Sequence, residues 1–371
     1  MTTSNQSRNL SLDVLRGLTI ALMILVNTPG SWSAVWGPLG HAHWHGYTPT
    51  DLVFPFFLFI TGSAMYFSLR KFNYQPSKEL HIKILSRVAI IFLIGLLLQW
   101  FPFTKSFDDL RIMGVLQRIA LAYGIAAIAI IHLSTRWLGI FSGLILLGYW
   151  ALLFFAGSAG DPYSIEHNIV RQVDLAVLGK SHIYPYMKPI FEPEGLLSTL
   201  PAVVNVIAGF WVTKAVNMMK DDQERFRKLI SWGIALLVIG HVWGLVFPIN
   251  KSLWTSSYVV VTSGWALVVL GMLVAVCATQ RGKSVMEPFR IYGTNPLFIY
   301  TISWLWVSIY RLIPVPMSGS TVGLNTFMYE SWFLPAADNI YLASHSYALV
   351  HVILFWVIAW MLDRQKIYIK I

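Results

Sequence analysis

Charge is what this sequence has least of. Only 12% of its 371 residues are Asp, Glu, Lys or Arg, about half of the roughly 25% usual in soluble domains. That leaves no room for a separate soluble domain of ordinary size. Cysteine is nearly absent too. Cys277 is the single one, so no intramolecular disulfide can form, and a disulfide framework or a cysteine-rich metal site is excluded. The GxGxxG, P-loop, GxSxG and HExxH patterns are missing from any plausible setting, which argues against nucleotide hydrolysis and metalloprotease chemistry. A cleavable leader is not expected either. The polar segment MTTSNQSRN precedes the first apolar run without a small-residue cleavage site, so that run reads as a retained span.

Apolar length takes the place of charge. Apolar residues make up 56% of the chain, and the mean hydropathy is +0.61. A helix needs about 20 apolar residues to cross a bilayer. Such runs recur over 11–28, 50–69, 86–101, 112–131, 137–157, 196–213, 229–248, 257–278, 290–310 and 346–362. The expectation is an all-α polytopic membrane bundle of about ten helices, forming one transmembrane domain over 1–371. The stretch 321–337 is too short and polar for an ordinary span; it reads as a surface or re-entrant helix, with an eleventh span as the alternative. Prolines keep PYMKPIFEPEG, before the sixth span, from being helical.

The net charge of +10 does not point to nucleic acid, because the basic residues are scattered over short loops between spans. They read as topology determinants and as contacts to anionic lipid or phosphate. With a cytoplasmic N-terminus, the segments 1–16, 70–87, 132–136, 214–228, 279–290 and 363–371 are cytoplasmic and hold 19 of the 27 Lys and Arg residues. The opposite side holds seven, and Arg118 falls inside a span. This imbalance predicts both termini in the cytoplasm. The loops 29–49 and 158–195 then face the other side, the periplasm of a bacterial inner membrane.

The densest polar cluster is GHAHWHGYTPTD, Gly40 to Asp51, running straight into the second span. Three histidines at alternate positions suggest a metal, but Gly46 and Pro49 argue against the helix that would align them, and only Asp51 could add a carboxylate. A metal site is not expected. A general base fits better, since an imidazole can move protons near neutrality. His43 and His45 read as interfacial residues; for His41 the residues alone leave both readings open. Asp51 reads first as a helix-start cap, with orientation of a histidine as its functional alternative. Asp13 and Arg16 share a helix face and read as an ion pair. Arg118, a charge within a span two turns beyond Arg111, is expected to face a polar cavity. Asn27 closes the first span. Trp44 and Trp254 lie beside polar clusters and could stack on a sugar.

These same residues resemble the heparan-α-glucosaminide N-acetyltransferase family, in particular its bacterial members of the NagX type. The opening SLDVLRGLTIALMILVN and HAHWHGYTPTDLVFPFFLFITGSAM carry the first part of the likeness. RIMGVLQRIALAY, FEPEGLLSTLPAVVNVIAG, PINKSLWTSSYVVVTSG and GTNPLFIY continue it in order along almost the whole chain. LDxLRG alone is shared with acyltransferase-3 type proteins; the combination is more specific. The resemblance implies a transmembrane acetyltransferase that takes acetyl-CoA from the cytosol as cosubstrate and acetylates a glucosamine amine on the far side. It implies a catalytic histidine in the setting H-A-x-W-x-G, here His41, and a contributing asparagine, here Asn27. The longer path from Asn27 to His41 and the lack of a long luminal N-terminal domain favour a small sugar over a polysaccharide.

In this reading Asp51 orients His41, and Asn27 or a backbone N–H stabilises the oxyanion. CoA phosphates are expected near Arg16, Arg70, Lys71 or Arg290, with Arg118 deeper in the cavity. The sugar is expected among Trp44, Glu194, Asn250, Lys251 and Trp254. The partners are acetyl-CoA, a glucosamine-like amino sugar and membrane lipid, with a homodimer allowed. Two other functions fit ten spans. One is an amino-sugar transporter without chemistry. The other is an O-acyltransferase of envelope glycans, against which Asn27 counts, because that group usually has a histidine at the end of its first helix.

Overall fold

Helix starts along this chain are marked by side chains that cap them. Ser77, Ser134, Asn168, Asp221, Thr279 and Asn339 each accept a backbone N–H from the first turn they precede, satisfying donors that a helix leaves open. In the computed structural model, residues 10–157, 160–317 and 319–369 are described. The polar segment 1–9 and both chain ends lie outside them. The helices are α1 (Leu10–Asn27), α2 (Val53–Arg70), α3 (Lys78–Trp100), α4 (Val115–His132), α5 (Thr135–Ala156), α6 (Ile169–Val177) and α7 (Thr199–Val216). They continue as α8 (Asp222–Gly244), α9 (Ser256–Cys277), α10 (Gln280–Tyr292) and α11 (Pro296–Leu312). A two-stranded antiparallel hairpin, β1 (Pro314–Met317) and β2 (Ser320–Gly323), precedes α12 (Leu324–Met328) and α13 (Ile340–Arg364).

The all-α membrane bundle is thus borne out. Among the described residues nine helices are long and apolar enough to cross a membrane: α1 to α5, α7 to α9 and α13. The remaining expected span, 290–310, is α11, whose 17 residues rise about 26 Å, the short end of the spanning range. Two segments read as loops contain helices. The basic segment 279–290 is α10, capped by Thr279, and 158–195 contains α6, whose apolar residues fall on one face. The stretch 321–337 forms the end of β2, α12 and a short π-helical turn over Tyr329–Phe333.

The chain forms two compact units. The first comprises residues up to 41, 48–53 and 272–370, and so contains α1, the start of α2, the end of α9 and α10 to α13. Its α1 and α10 approach through glycine. A side chain on Gly17 would meet the Phe289 carbonyl, and one on Gly293 would meet the Asp13 carbonyl. The second unit comprises residues 42–47 and 54–271. Its centre is α7, packed against α4 and α5 and, through Gly62 and Gly209, against α2. Small residues let helices approach closely where lipid gives apolar side chains little reason to prefer each other. Helices α3, α5 and α8 leave most of their apolar surface uncovered. Only 17% of the apolar window of α8 is buried, against 67% for α9, and Ile234, Val238 and Val242 are exposed.

Candidate functional site

The segment that enters α2 is shaped by its prolines and threonines. Pro38 lies in a tight 3-10 turn over Gly37–Leu39, and Pro49 begins a second one over Pro49–Leu52. Thr48 is extended and heads that second turn. Its N–H donates to Asp51 Oδ2 at 2.9 Å, the reach-back half of a capping box. The Thr48 hydroxyl donates to the Gly40 carbonyl at 2.6 Å, and the Thr50 hydroxyl to the Pro38 carbonyl at 3.2 Å. These bonds hold the chain on either side of His41.

Asp51 is 1% exposed, and its Oδ1 lies 2.7 Å from Nδ1 of His41, whose side chain is 51% exposed. A carboxylate can only accept, so the proton of a neutral imidazole sits on Nδ1 and the lone pair on Nε2. The first unit therefore holds a half-exposed imidazole oriented by a buried carboxylate, the arrangement of a base with its orienting group. Asn27 ends α1 in the same unit, exposed.

The basic residues expected at CoA are in varied settings. Arg16 pairs with Asp13 at 3.0 Å and donates to the Gly293 carbonyl at 3.2 Å. Arg290 is gripped by Glu287 and Asp363, each at 2.7 Å, so a phosphate would compete with two carboxylates. Arg70 and Lys71 are exposed at the end of α2. Arg118 is fully buried on α4. It donates to the Gly195 carbonyl and the Ser198 hydroxyl, and lies 4.8 Å from the Trp254 ring centre. Among the described residues its Nε and Nη1 are buried without an acceptor, an uncommon setting for polar atoms within a span.

The residues expected at the sugar all belong to the second unit. Glu194 is paired with Arg111 at 2.5 Å. Burial disfavours its charge, yet Arg111, Arg118 and Lys251 together hold its carboxyl below the ordinary value. Asn250 shapes its own loop, accepting the Leu253 N–H at 2.8 Å, and its amide lies 3.4 Å from His45 Nδ1. Burial lowers the His45 pKa from its ordinary value, with Asp161 opposing. Trp44 donates to the Tyr163 carbonyl at 2.8 Å and meets Phe191 edge-on. Trp254 presents no stacking face. It is 0% exposed, bonds Asn205 and packs against Arg118, Phe54 and Tyr258.

Two carboxylates of this network were not singled out from the sequence. Glu192 is fully buried, binds Arg111 and accepts the N–H groups of Tyr184 and Glu194; the repeated Glu in FEPEG was the available signal. Asp174 on α6 accepts the Leu196 N–H at 2.8 Å, in space open because residue 195 is glycine. Burial pushes the Asp174 carboxyl up to about 7, against the Leu196 N–H, which lowers it. The folded protein thus keeps a proton that the unfolded chain releases near pH 4. Stability from this group is full below that pH and falls by about 1.4 kcal/mol per unit as pH rises towards 7. The melting temperature should fall from pH 5 to pH 7, and Asp174→Asn should flatten that slope. A wild-type curve already flat would refute the assignment.

Comparison with known proteins extends the likeness. Residues 8–104, which include α1, the His41–Asp51 pair, α2 and α3, match a family described as a domain of unknown function, DUF5009. The chain is 27% identical to the mouse protein named heparan-alpha-glucosaminide N-acetyltransferase, over 99% of this chain and 61% of the mouse one. It is 26% identical to the human protein of that name, over 97% of this chain and 59% of the human one. The resemblance seen in the motifs is thereby borne out. The chain spans about three fifths of the length of these relatives.

Proposed function

We propose that this multi-pass membrane protein is a transmembrane N-acetyltransferase of a bacterial inner membrane. It moves acetyl from cytosolic acetyl-CoA to the amine of glucosamine or a similar small amino sugar on the periplasmic side. The observation that carries the reading is the His41–Asp51 pair at 2.7 Å. The mammalian relatives' name supports the reaction, and the Lys and Arg distribution supports the sidedness.

The chemistry requires an uncharged amine and a stabilised oxyanion. His41 Nε2 takes a proton from the sugar ammonium, typically worth about 10² to 10⁴ in rate. The freed amine attacks the thioester carbon while Asn27 or a backbone N–H donates to the carbonyl oxygen. That attack forms the C–N bond. His41 passes the first proton to solvent and takes the second from the attacking nitrogen. As the carbonyl re-forms and C–S breaks, the imidazolium gives that proton to the departing CoA thiolate. Asp51 keeps the ring in the needed tautomer and stabilises its cationic form. In the variant route His41 itself carries the acetyl group between donor and acceptor, and would gain the mass of one acetyl when sugar is withheld.

The test is acetyl transfer from labelled acetyl-CoA to glucosamine by purified protein in detergent, with His41→Ala beside wild type. N-acetylglucosamine from wild type alone is the expected result. Equal product from both would remove His41 from the mechanism. No product, together with no CoA binding, would favour sugar transport.

A further inference from the structure

We propose that the second unit carries a site for a phosphate ester, in a cavity between α4, α5, α7 and the turn after α2, with Lys214 as the phosphate partner. The proposal does not depend on the His41 chemistry, because the cavity contains none of the residues proposed for the transfer step, while Arg70 and Lys71, expected at the CoA phosphates, lie on the chain that leads to it.

The cavity measures about 330 Å³, within the range of small-molecule sites. Tyr74, Phe210 and Trp211 form its aromatic walls, and His132, Thr135 and Lys214 its polar edge. Tyr74 and Asn73 both have positive φ, +56° and +51°, an uncommon conformation for two residues that are not glycine. The turn they make sets the Tyr74 ring edge-on to Phe210 at 5.8 Å, with its hydroxyl donating to the Tyr66 carbonyl at 3.2 Å.

The lining is cationic without a counterion. The Lys214 ammonium is 3.5 Å from the Thr135 hydroxyl, a neutral group, and no carboxylate lines the cavity among the described residues. His132 Nε2 lies 3.0 Å from His81 Nε2, a separation at which one ring donates to the other. Arg136 follows Thr135 directly, and Arg70 and Lys71 lead into the Tyr74 turn. An anion flanked by flat or apolar groups fits this combination. Phosphate is favoured because the first turn of α5 also directs N–H groups to this end.

Two sources offer that chemistry. A soluble nucleotide would place its base among the aromatic walls. An anionic phospholipid would place its headgroup at Lys214 and its chains along α5, where Leu144 and Leu147 are exposed.

The experiment is a titration of purified protein in uncharged detergent, read by tryptophan fluorescence. The probes are adenosine 3′,5′-bisphosphate, lysophosphatidylglycerol and, as control, an uncharged monoacylglycerol. Saturable binding of either phosphate probe is expected, weakened about tenfold by Lys214→Gln, the loss of one charge-assisted contact, and largely kept by Lys214→Arg. Trp211→Leu is expected to weaken the same probe. Binding of the nucleotide alone or the lipid alone supports the site and names its source. The proposal is overturned if neither phosphate probe binds wild type, if the uncharged lipid binds equally well, or if Lys214→Gln melts and binds as wild type does.

Discussion

Asp51→Asn is expected to lower kcat for acetyl transfer by about 10²- to 10⁴-fold, a loss of the size seen when a base is left in the wrong tautomer. An asparagine can still accept the Thr48 N–H through its carbonyl oxygen, so the turn entering α2 keeps its cap and the protein should melt close to wild type. What changes is the other end of the side chain. The amide would present N–H to His41 Nδ1, where the carboxylate now accepts at 2.7 Å. The ring must then carry its proton on Nε2, the nitrogen that has to receive one. KM for the sugar should change little, because the lost interaction serves the transition state. Asp51→Ala removes the cap as well and should add about 0.5 to 2 kcal/mol of destabilisation. A variant Asp51→Asn with wild-type kcat would reduce Asp51 to a helix cap and take the proposed base with it.

Much of the architecture was legible because lipid imposes one rule on every span. A run of apolar residues long enough to cross can only be helical, and so the interiors of the long helices coincide with the runs. Their boundaries follow local chemistry that hydropathy ignores. The seventh run was expected from residue 229, yet α8 starts at Asp222 because Asp221 accepts the Glu224 N–H at 2.7 Å. The ninth was expected from 290, but Gly293 must pass the Asp13 carbonyl closely and α11 starts only at Pro296. The amphipathic α10 and α6 carry too much polarity to register as spans, and their helical character appears only once their faces have partners.

The candidate site was legible where its parts lie close in sequence. Asp51 stands ten residues after His41, and a capping signal already placed it at a helix start. The pairing of Arg111 with Glu192 joins residues 81 apart, and no local pattern encodes such a partner. Trp254 illustrates the reverse failure. A tryptophan beside polar residues suggests a sugar platform, yet its ring serves as a wall for Arg118. Arg118 itself was flagged by physics alone, since a charge within a span requires polar company.

Gly209→Val is expected to abolish most of the folded protein. A side chain at Gly209 would begin 1.8 Å from the Phe59 carbonyl oxygen, and one at Gly62 would begin 1.8 Å from the Val206 carbonyl oxygen. Both obstacles are backbone of the facing helix, so no rotamer change can relieve them and α2 must move away from α7. The Ser63 hydroxyl, 3.3 Å from the Gly209 carbonyl, would lose that contact as well. Ordinary overpacking costs about 1 to 3 kcal/mol, and separating two helix backbones should exceed that, a large share of the roughly 5 to 15 kcal/mol that holds a typical domain. Gly148 on α5 provides the contrast: among the described residues a side chain there meets nothing within 4 Å. Gly148→Ala should therefore be neutral or stabilising by up to about 1 kcal/mol, through helix propensity alone. Size-exclusion elution and melting temperature in detergent separate the two cases. If Gly209→Val elutes and melts like wild type, α2 and α7 do not cross at these glycines, and the packing of the second unit has to be redrawn.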